Sequence, residues 1–135
     1  MQKGRLGQIG MRMFGTIIVT RLMMAALTRE EIPEEERRDF FLFVDEFQNF
    51  TTPTIANLLS EARKYRLSLT LANQTLYQLE DEIADAVLGN AGSLVALRPG
   101  VKDFGQIEPY VSPPFSREDI TNLPNYKAVA RLLAG

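Results

Sequence analysis

The sequence has no cysteine and no histidine. Without cysteine there is no disulfide, no thiol nucleophile and no thiolate metal site. Without histidine there is no Ser-His-Asp or Cys-His machinery and no imidazole base, and zinc loses its usual donors. A dominant charge sign is missing as well: 15 Lys and Arg face 17 Asp and Glu, for a net charge of -2. That excludes a pervasively basic nucleic-acid surface and leaves room only for a local patch. A long clean apolar run is also missing. The most apolar stretch, Met13 to Leu27, carries Arg21 and falls short of the roughly 20 residues that a bilayer span needs. No small-residue cleavage site follows it. The expectation is a soluble, cytoplasmic chain without membrane contact of its own, placed at the inner face of the cell membrane only through a longer parent protein. Any chemistry must run on carboxylates, Arg, Lys, hydroxyls, amides and backbone.

What remains is ordinary globular material. The chain has 135 residues, 45% of them hydrophobic and 24% charged, which fits one domain with a real core. Charge is unevenly spread. Lys3, Arg5, Arg12, Arg21 and Arg29 are unaccompanied by any acid up to residue 29, and an acid-rich stretch from Glu30 to Asp39 follows. Thr28 to Asp39 reads as a solvated connector.

Ile9 to Leu27 predicts a helix, with Met13, Phe14, Ile17, Ile18, Leu22 and Met24 as a wide apolar face and Gly15 as its weak point. FFLFV, Phe40 to Val44, lacks polar alternation and predicts a strand covered on both faces. Thr52 as N-cap and Pro53 at the first helical position open a helix whose apolar face is Ile55, Leu58, Leu59 and Ala62. Ser68 to Asn73 predicts a second strand. Glu80 to Leu88 predicts a helix stopped by Gly89-Asn90, and Ser93 to Leu97 a third strand. Strand, helix, strand, helix, strand is an α/β pattern with a parallel sheet and right-handed crossovers. Beyond Arg98-Pro99-Gly100 the prolines at 109, 113, 114 and 124 predict irregular structure. A brief helix capped by Ser116 and a last strand or helix over Tyr126 to Leu133 complete it.

The chemistry concentrates where the first strand ends in Asp45-Glu46. Ligands of doubly wound sheets bind at strand carboxyl ends. There, two acids after an apolar run match a Walker B strand: Asp45 supplies a hard oxygen near Mg²⁺, often through water, and Glu46 orients and polarises the attacking water. The plain alternative is a strand that ends in polar residues. Gln74 follows the second strand, so a parallel sheet puts it on the same rim, as a γ-phosphate or water contact or as an amide capping the next helix. Arg63 is either a surface charge paired with Glu61 or Glu82, or an arginine offered to a neighbouring subunit.

Taken together, VDEFQNF, then LSEARKY, then ANQ resemble the C-terminal half of the motor domain of type IV secretion coupling proteins and conjugative DNA-transfer ATPases of the TraG/TraD type. These belong to the HerA/FtsK class of RecA-like P-loop ATPases. The resemblance runs back to KGRLG and forward through IADAVLGNAGSLVALRPG. It implies a three-layer RecA-like parallel sheet, here a partial P-loop core. Residues 1–29 are then a helical lead-in, 40–98 the Walker B and sensor core, and 99–135 an irregular C-terminal part. It implies ATP and Mg as cofactors. Asp45 and Glu46 match the Walker B acids, Arg63 the arginine that reaches a neighbour's ATP, Gln74 the glutamine sensor, and Arg98 a strand-end arginine. The implied partners are other copies in a homo-hexameric ring, DNA bound without sequence preference, and secretion-channel or relaxosome proteins.

One family feature is missing from these residues. No G-x-x-x-x-G-K-[ST] loop occurs. Gly10 to Gly15 leads to Thr16 and Gly100 to Gly105 leads to Gln106, so neither supplies the phosphate-binding lysine. In addition, Arg98-Pro99-Gly100 leads to Asp103-Phe104 where relatives often carry an acidic-small pair. Three functions follow as expectations. The first is a portion of an ATP-driven translocase, with little or no hydrolysis from these residues alone. The second is a non-catalytic module that docks onto a complete secretion ATPase. The third is a divalent-cation carboxylate enzyme, for which two adjacent acids are a poor ligand set.

Overall fold

A computed structural model describes residues 2–133. Met1, Ala134 and Gly135, at the outer ends of the expected 1–29 and 99–135 segments, lie outside the described residues. The chain divides into two units, Met1–Gln74 and Thr75–Gly135.

The first unit contains α1 (Gln2–Leu27), β1 (Phe40–Val44), α2 (Pro53–Glu61) and β2 (Leu67–Leu71). The two strands pair in parallel, from Phe40 opposite Leu67 to Val44 opposite Leu71. Parallel pairing needs a crossover, and α2 provides it. Ile55, Leu58, Leu59 and Ala62 are all buried, as the helical spacing requires, and they join Val44, Phe47, Tyr65 and Leu67 in the core. Thr52 has the extended backbone of an N-cap, yet its side chain makes no capping hydrogen bond.

Three expectations for this unit are corrected. β1 is not covered on both faces: Phe41 and Phe43 are 61% and 72% exposed, because among the described residues it has a single neighbouring strand and one packed face. α1 does not bury Met13, Phe14, Ile17, Ile18, Leu22 and Met24, which are exposed; the packed stripe is Val19, Met23 and Ala26. A helix apolar nearly all round leaves the choice of face to its packing partners. Gly15 lies on that packed side, and any Cβ there would collide with the Phe50 ring. The residue that looked like a helix weakness is the one that admits Phe50. Finally, α1 is longer than its apolar stretch. Ile9–Glu31, 23 residues of mean hydropathy 1.4, is long and apolar enough to cross a membrane by length and composition, with 17% of its most apolar window buried. Core helices of soluble proteins and signal sequences share that length and composition.

The connector from Thr28 to Asp39 is exposed, apart from half-buried Arg29 and Arg37, and forms two 3-10 turns, Thr28–Glu31 and Glu34–Glu36. Its arginines hold it in place. The Arg29 guanidinium donates to the Arg38 carbonyl at 2.7 Å and lies 5.5 Å from the Phe40 ring centre. Arg37 donates to the carbonyls of Ile32 at 2.8 Å and Lys64 at 2.6 Å.

The second unit contains α3 (Asp81–Asn90), β3 (Leu94–Ala96), α4 (Val101–Val111), α5 (Arg117–Thr121) and β4 (Val129–Arg131). Leu88, Ala96, Phe104, Ile107, Val111, Ile120 and Val129 form its core. β3 was expected as a third parallel strand; it pairs antiparallel with β4 instead, Val95 opposite Ala130. The tail supplies the partner, and two bonds beyond the ladder secure it: the Arg131 guanidinium donates to the Ala91 carbonyl at 3.0 Å, and the Leu133 amide to Ser93 Oγ at 3.0 Å. The expected irregular segment 99–135 is corrected in part, since α4 runs through Pro109. Burying Phe104, Ile107 and Val111 offsets the roughly 3 kcal/mol that an interior proline costs. α3 likewise continues through Gly89-Asn90 and ends at Ala91. The Ser116 cap holds as expected. Ser116 Oγ accepts from the Asp119 amide and the Asp119 carboxylate accepts from the Ser116 amide, which pulls that carboxyl below its ordinary range.

Candidate functional site at the carboxyl ends of the parallel strands

The parallel register brings the carboxyl ends of β1 and β2 to one rim. The ladder extends past both strands: the Ala72 amide donates to the Val44 carbonyl at 2.9 Å and the Phe47 amide to the Ala72 carbonyl at 3.0 Å. Between these bonds lie Asp45 and Glu46. Glu46 has φ 52° and ψ 42°, the left-handed conformation that non-glycine residues avoid at a cost of about 1 kcal/mol. The strand can therefore turn at once into the 3-10 segment Phe47–Asn49, whose Phe47 is 1% exposed and anchors the turn.

This turn aims the carboxylate of Glu46 back along the rim. Its Oε1 accepts from Gln74 Nε2 and its Oε2 from Gln48 Nε2. Charge-assisted bonds of this kind are among the stronger ones. Asp45 is exposed, and its Oδ1 accepts from the Glu46 amide at 2.9 Å. The Oε1 of Gln48 and the Oδ1 of Asn73 are buried without a partner. The rim thus offers one exposed carboxylate held by a backbone amide, one carboxylate held by two side-chain amides, and amide oxygens without partners.

Arg63 stands elsewhere. It lies in the 3-10 turn Ala62–Tyr65 that precedes β2, at the amino ends of the strands, where the Phe40 amide bonds the Arg66 carbonyl. It lines a shallow hollow with Asp39, Phe41, Arg66, Leu67 and Ser68. Glu61 pairs with Lys64 at 3.7 Å, and Asp39 with Arg66 at 3.6 Å; among the described residues Arg63 makes no ion pair. Arg98 belongs to the second unit, exposed just past β3 with φ 39°. The structure therefore brings Asp45, Glu46 and Gln74 to one edge and sets Arg63 at the opposite one.

Two further polar residues escaped the sequence reading. Gln48 was in plain view within VDEFQNF, but only the left-handed turn at Glu46 folds position 48 back onto it. Asp103 is 5% exposed, and its Oδ1 accepts from the amides of Leu76 at 2.8 Å and Tyr77 at 3.0 Å. Its signal was an acid in the first turn of a helix. No group of three or more His, Cys, Asp or Glu is arranged to hold a metal among the described residues.

Residues 39–121 match the family described as the TraM recognition site of TraD and TraG. No curated protein matches the chain. Among solved structures, the plasmid coupling protein TrwB in complex with the ATP analogue ADPNP is similar at TM-score 0.65 and 21% identity, over 88% of this chain and 33% of that one. The unbound monoclinic form of the bacterial conjugative coupling protein TrwBdeltaN70 is similar at TM-score 0.65 and 20% identity, over 87% and 34%. TrwB with a GTP analogue, GDPNP, is similar at 0.55 and 21%, over 87% and 36%. The chain thus spans about a third of the length of these structures, and the likeness establishes a shared fold. With the family match over residues 39–121, the chain belongs to the family described as the TraM recognition site of TraD and TraG.

Proposed function

We propose that the chain is the hydrolysis-side portion of an ATP-driven motor that moves DNA or nucleoprotein in conjugation or type IV secretion. The observation that carries this is the hydrogen bond between Glu46 and Gln74 at the carboxyl ends of two parallel strands. In this reading Glu46 is the general base for the attacking water, Gln74 senses the terminal phosphate, and Asp45 is the Walker B acid. The residues fit a magnesium ion held mainly by nucleotide and water. Asp45 is exposed beside the site, and the described residues include no carboxylate cage. Bound Mg²⁺ would neutralise phosphate charge. Arg63, at the far end of the strands, acts on the ATP of the next subunit in a homo-hexameric ring, and Arg98 is a further strand-end cation. The exposed Phe41 and Phe43 are then covered by the rest of a three-layer RecA-like core, including a Walker A loop. DNA threads the ring in a sequence-independent, salt-sensitive way. The motor works in the cytoplasm at the inner face of the membrane.

The experiment is ATP hydrolysis by the full-length protein. Glu46→Gln is expected to lower turnover by about a hundredfold or more while nucleotide still binds. Arg63→Ala is expected to lower turnover, with part of the rate restored in mixed rings by subunits that lack Glu46 but keep Arg63. Wild-type turnover in Glu46→Gln removes the reading.

A second reading is a recognition module that docks onto a complete ATPase. The family's description as a TraM recognition site favours it, as do the exposed Ile17, Phe41 and Phe43. A monomer on gel filtration with no nucleotide affinity, which captures a relaxosome protein, would favour it over the motor.

A further inference from the structure

The carboxylate of Glu46 is held from both sides, and the two holders differ. Gln74 is exposed and comes from the chain beyond β2, three residues past the last strand position. Gln48 sits two residues after Glu46, in a short turn anchored by buried Phe47. Gln48 spends its donor on Glu46 Oε2, while its own Oε1 is buried without a partner. A buried amide oxygen left unpaired is a cost, so the bond to Glu46 is what the Gln48 side chain gains in that position.

We infer that Gln48 is a positioning residue for Glu46. This rests on the proposal that Glu46 is the general base. Gln48 keeps hold of Oε2, and Gln74 releases Oε1 when a nucleoside triphosphate arrives. Oε1 then takes a proton from water as the water oxygen bonds to the terminal phosphorus. The bond from that phosphorus to the bridging oxygen breaks, and the electron pair leaves with the nucleoside diphosphate. Without Gln48, a carboxylate released by Gln74 is free to rotate, and the reacting oxygen loses its place. The left-handed backbone at Glu46 serves the same end, because it brings residue 48 within reach of residue 46.

The test uses ATP hydrolysis by the full-length protein with three variants. Gln48→Met keeps length and removes the donor; it is expected to lower kcat about tenfold with KM within about twofold. Gln48→Glu sets a second carboxylate against Glu46 and is expected to lower kcat further at neutral pH. On acidification the introduced carboxyl regains a proton to donate, so its rate relative to wild type recovers, whereas Gln48→Met stays flat across the same range. Glu46→Gln serves as the control. Wild-type kcat in Gln48→Met beside an inactive Glu46→Gln overturns the positioning role and leaves the general base standing. An active Glu46→Gln overturns the base and the inference with it. Should Gln48→Met fail to fold, the pH profile of Gln48→Glu decides, and a loss unchanged by pH overturns the inference.

Discussion

Two acids in the two units of this chain are held in opposite ways. Glu46 is half-buried on a rim, in a strained backbone conformation, and its oxygens accept from two side-chain amides. Asp103 is buried, and one oxygen accepts two backbone amides. Side-chain amides can rotate away when another partner arrives. Backbone amides cannot do so without unfolding the segment that carries them. An acid's role is therefore read from what its oxygens accept, more than from its burial. Glu46 is built to exchange partners, and Asp103 pins Leu76 and Tyr77 to the start of α4.

The contrast can be broken by substitution. Glu46→Gln is expected to show the largest effect, on turnover, with little change in urea denaturation; a large stability loss would make Glu46 a structural acid. Asp103→Ala is expected to do the reverse. It leaves two part-buried amides without their acceptor and costs about 1–2 kcal/mol in urea denaturation, and Asp103→Asn, which keeps an acceptor oxygen, costs less. A neutral Asp103→Ala would end the comparison. Gly15→Ala comes next, at about 1–3 kcal/mol from collision with Phe50. Phe50→Leu in the same chain should return part of that loss. The smallest effect is on the α5 cap. The Asp119 carboxyl is held below its ordinary value by hydrogen bonds from the Ser116 amide and hydroxyl. Its contribution is present above the unfolded Asp range and is lost as pH falls through the lower folded value. In Ser116→Ala that acid-side loss in thermal melts should shrink.

Much of the rim was legible in the residues. An apolar run ending in two acids, a Pro-opened helix, a second apolar run and a glutamine are all local patterns, and parallel pairing alone then gathers Asp45, Glu46 and Gln74. The position of Arg63 was legible too in principle. A residue that precedes the second strand must lie at its amino end, away from acids that follow the first. The buried face of α1 was not legible, because a helix apolar on most sides carries no instruction about which side packs. The partner of β3 was equally hidden, since SLVAL is compatible with a parallel or an antiparallel neighbour and only the returning tail decides between them.

By itself, the sequence determined the order of strands and helices as far as β3, the family and the identity of the rim acids. Those depend on patterns within a few residues and on chain direction. The tertiary structure alone decided that Gln48 turns back onto Glu46, that Gly15 makes room for Phe50, and that β3 pairs with β4. Each of these is set by a left-handed residue, a close approach or a distant strand, and such contacts form only once separate segments have been brought together.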